Sequence, residues 1–224
     1  MERVEFIKQY LPLVTELGKS TGIFPEIFFS QAFAEGTGKV NGQYVFGESP
    51  TMKNANNIFN IRPAGKPNEF WHGDTYDNPY VTTESKTFRK YDSLDDSIKD
   101  YFNFLVNNSR YRAAGVFSAP TWQAQAEALD AAHYAGASNG TYATLLKNIG
   151  KNLTSTFDKL RGSVTAETKA AEAEIKSGAQ AGESFLQKHG VAVGLTLFAV
   201  GAGYYFTTLK SENVSTQPKQ LERQ

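Results

Sequence analysis

The sequence predicts a mainly α, α+β fold: a helical domain with a small β-hairpin lobe, followed by a helical stalk and a C-terminal transmembrane helix. Three observations carry the prediction. Runs of apolar residues at helical spacing recur between residues 2 and 160, while the stretch from Gly36 to about Tyr91 trades that period for short alternating runs. Uncharged residues then run without a break from Gly190 to Leu209. The expected divisions are 1–160 for the domain, 161–188 for the stalk, 189–210 for the span and 211–224 for a polar tail.

Residues 2–18 space Val4, Ile7, Leu11, Val14 and Leu17 as one face of an amphipathic helix, with Pro12 as a point where it could kink. Gly22 ends that unit, and Pro25 suits the first position of a second, mostly buried helix carrying Ile27, Phe28, Ala32 and Phe33 up to Glu35. Within 36–91, Tyr80–Thr83 and Thr87–Tyr91 read as strands, with Asp77-Asn78-Pro79 as a turn. Helices resume at Ser93, a capping residue reinforced by Asp96, and run through Leu105. Two more cover Trp122–Ala132 and Tyr142–Leu160. Residues 162–188, rich in Ala, Glu and Lys, have little to bury and read as a helical stalk or a disordered linker. As a helix, 190–209 would be roughly 30 Å long, which fits a bilayer core. Lys188, His189, Lys210, Tyr204 and Tyr205 flank it as interfacial anchors, and a buried helix weakened by four glycines is the alternative.

Lys plus Arg and Asp plus Glu both number 23, and the pI is near 6.8, so a nucleic-acid partner is not expected. There is no Cys, hence no disulfide or thiolate metal site, and His72, His133 and His189 lack metal-ligand spacing. Neither metal nor cofactor is expected. The start of the chain shows no basic segment followed by an apolar run, so no signal peptide is read there.

The segment Gln31-Ala32-Phe33-Ala34-Glu35-Gly36-Thr37-Gly38 closes an apolar helical run on one carboxylate and follows it with glycines. A carboxyl at the buried end of a helix, facing a cleft opened by a glycine turn, is poorly hydrated and holds its proton towards neutral pH. Cleavage of a glycosidic bond needs such a donor. Glu35 is the candidate general acid, with a solvated glutamate at a helix end as the alternative.

Four ordered blocks then resemble glycoside hydrolase family 73, the glucosaminidase domains of bacterial autolysins and flagellar peptidoglycan hydrolases. They are Gly22-Ile23-Phe24-Pro25 leading to Ser30-Gln31-Ala32 and Ala34-Glu35-Gly36; Asn56-Asn57-Ile58-Phe59-Asn60-Ile61; Phe88-Arg89-Lys90-Tyr91-Asp92-Ser93; and Tyr134-Ala135 followed by Tyr142-Ala143. The resemblance implies a lysozyme-like domain acting on the β-1,4 bond of peptidoglycan after N-acetylglucosamine. It makes Glu35 the acid and sets Phe59 and Tyr134 along the cleft, where aromatic faces stack on sugars and exclude water. Gln31 and Asn57, inside the blocks, are candidate substrate contacts. Phe59 could equally be plain core.

The family often carries a second acid in its hairpin before an Asn-Gly turn, and aligning that turn on Asn78-Pro79 sets Thr75 at the acid's position. Asp74, Asp77 and Glu84 are the candidates for the second carboxylate, with Glu48 as a further one; each is otherwise a solvent-facing charge. If none serves, the substrate's own acetamido group could assist. Trp71 either stacks on saccharide or packs, and Trp122 reads as core. The expected partners are glycan strands and a lipid bilayer through 190–209. A phage virion with an internal membrane, or a lysis enzyme at the bacterial membrane, would suit such an architecture. A lytic transglycosylase, or a non-catalytic wall-binding or virion structural protein, is the competing expectation.

Overall fold

The computed structural model describes residues 2–82, 86–136, 139–160 and 162, together with the backbone of 195–200 and 203–208. The chain divides into two compact units, Met1–Gly162 and Ser163–Gln224. The first holds helices α1 (Arg3–Thr21), α2 (Pro25–Glu35), α3 (Pro50–Ala55), α4 (Leu94–Asn107), α5 (Ser109–Ala113), α6 (Trp122–Ala131) and α7 (Thr141–Gly150), with a 3-10 turn at Val116–Ser118. Two hairpins, β1 (Thr37–Val40) with β2 (Gln43–Phe46) and β3 (Thr75–Asp77) with β4 (Thr87–Arg89), lie in the lobe between α2 and α4.

α1 runs through Pro12 and stops where Gly22 turns left-handed at φ 81°, donating its N–H to Gly18 O. Its buried stripe is Phe6, Ile7, Tyr10, Leu11 and Val14, while Val4 is exposed. Val4 falls outside the stripe because Phe6 and Tyr10 shift the apolar face by part of a turn. α2 is central: Pro25 occupies its first turn, every residue from Ile27 to Phe33 is buried, and it packs on α1, α6 and α7. Around it Phe28 meets Phe29 at 84° and Phe59 at 62°, and Phe6 and Phe33 both meet Phe46 edge-on. Such tilted pairs add to area burial because ring edges carry positive and ring faces negative charge density.

Local chemistry sets the remaining helix ends. Ser93 Oγ accepts from Asp96 N at 3.1 Å and caps α4, and Thr121 Oγ1 does the same for Ala124 N at the start of α6. α7 ends at Gly150, and helix resumes only over 153–160, so the single helix expected over 142–160 is broken there. At Gly150 a Cβ would come within 2.8 Å of Trp122 ring atoms, and that ring packs against the core as expected.

The lobe departs most from expectation. The Asn41-Gly42 turn, with φ of 49° and 84°, closes a hairpin between β1 and β2 that the sequence reading missed, as it did α3 and α5. β3 lies before Asn78-Pro79 rather than after it: Thr75 pairs with Arg89 and Asp77 with Thr87, while residues 80–82 carry no strand. Pro79 lacks the N–H that a ladder through this stretch would need.

In the second unit, β5 (Leu195–Val200) pairs antiparallel with β6 (Gly203–Thr208), Leu195 opposite Thr208. A transmembrane helix over 189–210 is not shown: residues 195–200 and 203–208 are strands, and the rest of that span lies outside the described residues. Gly201 and Gly203 interrupt the run, and Tyr204 to Thr208 is all aromatic or β-branched, a composition that favours strand over helix. Among the described residues no helix is long and apolar enough to cross a membrane. The expected stalk, beyond Gly162, and the tail over 211–224 lie outside the described residues.

Candidate active site

The last residue of α2 is Glu35, which lines a cleft of about 890 Å³. The walls come from the start of α3 (Ser49, Pro50, Thr51), the 59–64 loop, Asn78 and Val81 between β3 and β4, the α4–α5 junction and residues 134–136. Gly36 and Gly38 serve this corner through their size rather than through a turn. A Cβ on Gly36 would lie 2.7 Å from Ala32 O, and one on Gly38 would collide with the Glu48 carbonyl. The β1 backbone can thus press against the segment leading into α3, beside the acid.

Two donors hold the Glu35 carboxyl. Asn60 Nδ2 donates to Oε2 at 2.7 Å, and Tyr142 Oη donates to Oε1 at 2.9 Å. Each donor is oriented from behind. Thr51 Oγ1 donates to Asn60 Oδ1 at 2.5 Å, which turns the amide nitrogen towards Glu35. Tyr101 Oη donates to Gln31 Oε1, so Gln31 Nε2 donates to Tyr142 Oη at 3.0 Å and the Tyr142 hydrogen is left for Glu35. Asn60 itself has φ 53°, a left-handed conformation that asparagine tolerates better than most residues and that places its side chain on the acid.

Burial pushes the Glu35 carboxyl up from its ordinary value, and the hydrogen bonds from Asn60 and Tyr142 pull it part of the way back. Burial also holds the phenols of Tyr134 and Tyr142 well above the usual range. Both stay protonated, and Tyr142 remains a donor. Tyr134 stacks on Tyr142 with rings 8° from parallel and centroids 5.8 Å apart, donates to Phe59 O at 3.1 Å and lines the cleft.

The other candidates divide. Phe59 contributes to the cleft lining, but its ring is 1 % exposed and stacks on Tyr101 at 4.2 Å, so the ring packs in the core. Trp71 is buried beneath the Arg89 guanidinium, 4.3 Å from its ring centroid, and donates Nε1 to Asp74 O. Gln31 and Asn57 are fully buried and reach no substrate. Asn57 instead donates to Ile61 O and Arg89 O and accepts from Ile61 N, pinning the 57–61 loop. Buried amides need all their partners, so both residues are spent on the frame.

Asp74 and Asp77 are exposed and do not line the cleft; Asp77 accepts from Thr87 Oγ1 across the hairpin. Glu48 pairs with Lys53 Nζ at 2.6 Å. Glu84 lies outside the described residues. Among the described lining residues Glu35 is the sole acid, and the cations are Arg62 and Arg110. The sequence reading passed over Asn60, Thr51, Tyr101 and both arginines. Asn60 and Tyr142 did stand inside the quoted blocks, and a polar residue in an otherwise apolar run was the signal that could have marked them. Among the described residues no group of His, Cys, Asp or Glu is disposed to hold a metal ion.

A family profile described as mannosyl-glycoprotein endo-beta-N-acetylglucosaminidase, the glucosaminidase family, matches residues 11–155. The chain belongs to this glycoside hydrolase family. Peptidoglycan hydrolase FlgJ of Vibrio cholerae is 32% identical over 120 residues, which are 50% of this chain and 33% of that protein. Its counterpart in Vibrio parahaemolyticus is 33% identical over 118 residues, 49% and 35% of the two chains. The glucosaminidase thus matches about a third of the length of these curated relatives. The glycoside hydrolase domain of Salmonella typhimurium FlgJ shares the fold at TM-score 0.50 and 24% identity, over 76% of this chain and 99% of that one. The peptidoglycan hydrolase of Sphingomonas sp. A1 does so at 0.50 and 23%, over 70% and 94%. The mainly helical architecture with small hairpins is that of the glucosaminidase domain.

Proposed function

We propose that the domain is a peptidoglycan hydrolase that cleaves the β-1,4 bond after N-acetylglucosamine, with Glu35 as general acid. The observation that carries this reading is the Glu35 carboxyl, set at the edge of a large cleft with a raised proton affinity and two oriented donors. Protonated Glu35 gives its hydrogen to the bridging oxygen as the bond from that oxygen to the sugar's anomeric carbon breaks. Positive charge develops on the sugar that keeps the anomeric carbon, the other sugar leaves with its hydroxyl restored, and the new Glu35 carboxylate is held by Asn60 and Tyr142. Water then adds to the anomeric carbon and gives up one proton to a carboxylate, the second acid or Glu35 itself, which restores the enzyme's proton count. Tyr134 supplies the aromatic wall for a sugar ring.

For the second carboxylate we propose Glu84. Asn78 and Val81, earlier in the same β3–β4 connection, line the cleft, whereas Asp74 and Asp77 do not. A lytic transglycosylase reading is favoured by one observation, that the described lining holds a single acid. Mass spectrometry of digested sacculi separates the two, since hydrolysis leaves a reducing sugar with water added and transglycosylation leaves an anhydro sugar. Replacement E35Q should lower wall clearing at least about 10²-fold while the protein still pellets with sacculi. Undiminished clearing by a folded E35Q protein refutes the assigned acid; clearing absent from the wild type as well leaves a wall-binding protein.

The domain order we propose is the glucosaminidase over 1–160, a stalk over 161–188, an apolar attachment over 189–210 and a polar tail, with a bilayer as second partner. The unbroken uncharged run 190–209 supports it. A lone hairpin would leave edge N–H and C=O groups unpaired in hydrocarbon, so insertion requires this run to become helical in lipid. Flotation of the full chain with lipid vesicles, together with a rise in helical circular dichroism, tests the attachment. Recovery in the lipid-free fraction ends it. A virion with an internal membrane, or a lysis enzyme, is the setting this arrangement suits.

A further inference from the structure

We infer that Arg110, assisted by Arg62, is a carboxylate-recognising element of the cleft, which makes the enzyme selective for anionic glycan strands over uncharged polymers of the same β-1,4 linkage. The inference rests on the proposed wall-hydrolase reading and names its substrate class more narrowly. Although the whole chain is neutral, the described lining of the cleft holds two arginines and a single acid. With Glu35 protonated in its working form, the charged lining residues described are two guanidinium groups. A glycan of N-acetylglucosamine alone gains nothing from them.

Arg110 is built for such a role. It stands in the first turn of α5, where its Nη2 donates to Tyr111 Oη at 2.5 Å and its guanidinium lies 4.7 Å from that ring's centroid. Tyr111 is fully buried, so the arginine is anchored to a fixed wall at one corner while its side chain stays exposed. Among the described residues the polar partner of its guanidinium is this neutral phenol, so the charge keeps its attraction for an anion. A planar fork held at one corner still offers paired N–H groups with the spacing of a carboxylate. Arg62 brings a second cation from the 59–64 loop, 5.4 Å from the centroid of Phe88, itself part of the cleft wall.

Carboxylates reach such a cleft from two sources, the lactyl group of muramic acid on strands stripped of peptide and the free carboxylates of the peptide stems on intact strands. The test measures binding of full-length E35Q and E35Q/R110Q, which do not turn over the ligand, to three soluble polymers. These are intact peptidoglycan strands, amidase-stripped strands and chitin oligosaccharides. The expected result is about tenfold weaker binding of anionic strands by the double variant, an effect reduced by salt, with less than a twofold change on chitin oligosaccharides. Loss on intact strands alone assigns the stem carboxylates, loss on stripped strands alone assigns the lactyl carboxylate, and loss on both means that Arg110 accepts either. Equal loss on all three polymers, or none on any, overturns the inference. If E35Q binds the strands but the wild type never cuts them, the catalytic reading falls and the anion recognition stands.

Discussion

The two walls of the cleft are held by different physics. On the helical side α2, α4, α6 and α7 meet through rings and aliphatic side chains, and Glu35 hangs from that core through Tyr142, Gln31 and Tyr101. On the lobe side, residues 36–91 have strands of three or four residues, and polar side chains substitute for the missing ladder. Asn57 closes the 57–61 loop, Asn56 donates to Tyr91 O, and Asn68 accepts from Phe70 N and Trp71 N while donating to Asp100. Arg89 donates to Arg62 O, Ala64 O and Asp100 Oδ2, and Tyr91 shares that aspartate. An apolar core tolerates sliding and repacking; a polar anchor works only with every partner in place. One wall of the cleft is therefore fixed by many weak contacts and the other by a few that are individually decisive.

The sharpest way to break that contrast is at Arg89–Asp100, a 2.7 Å pair with both side chains buried. Arg89→Met leaves Asp100 charged and unpartnered by a cation, and should destabilise the domain by about 3–5 kcal/mol in urea unfolding. Hydrogen exchange should rise first in 61–91, with α2 and α7 protected longest. Uniform loss of protection would mean that the lobe is no more dependent on its polar anchors than the helices are. Next in size is the comparison of carboxylates across the lobe. E84Q should lower kcat on peptidoglycan about 10²- to 10³-fold, whereas D74N and D77N should each stay within about twofold. A large loss in D77N instead would move the second acid onto the strand.

What could be read in the chain divides along the same line. Periodicity found α1, α2, α4 and α6 because one face of each is apolar and the 3.6-residue period survives in the residue order. It also found Glu35, where that period ends on a charge. The lobe carries its information in single residues that bond to distant backbone, such as Asn57 to Arg89 O, and no local pattern announces those partners. Two aromatic residues stayed open for a related reason. Nothing local to Phe59 or Trp71 decided between stacking on saccharide and packing, and it is the distant Tyr101 and Arg89 that cover their rings. The pair Asn41-Gly42 was legible as a hairpin turn and was passed over.

A smaller effect separates support of the acid from support of the fold. Y142F removes one of the two donors to the Glu35 carboxylate but keeps the ring that stacks on Tyr134. The ionised form loses a hydrogen bond, so proton affinity should rise further and the alkaline limb of the kcat/KM profile should move to higher pH. N60A should move it the same way, and Q31M should follow if orientation of Tyr142 is what Gln31 provides. A lower rate with an unmoved limb would make Gln31 part of the packing alone.

The smallest effect is thermodynamic, and its sign follows from the direction of the Glu35 shift. Because burial raises the carboxyl above its value in the unfolded chain, the native state binds this proton more tightly. The resulting stabilisation is complete below the unfolded carboxylate range and is lost as pH rises through the folded value. E35Q has no such proton to lose. In thermal melts from about pH 4 to about pH 8, the melting temperature of E35Q relative to wild type should therefore climb with pH, whatever the offset at the acid end. A buried carboxylate held ready for proton donation weakens the native state at neutral pH, and the helical wall that holds it must absorb that loss. A difference independent of pH would mean that Glu35 titrates as it does in the unfolded chain, with Asn60 and Tyr142 cancelling the desolvation.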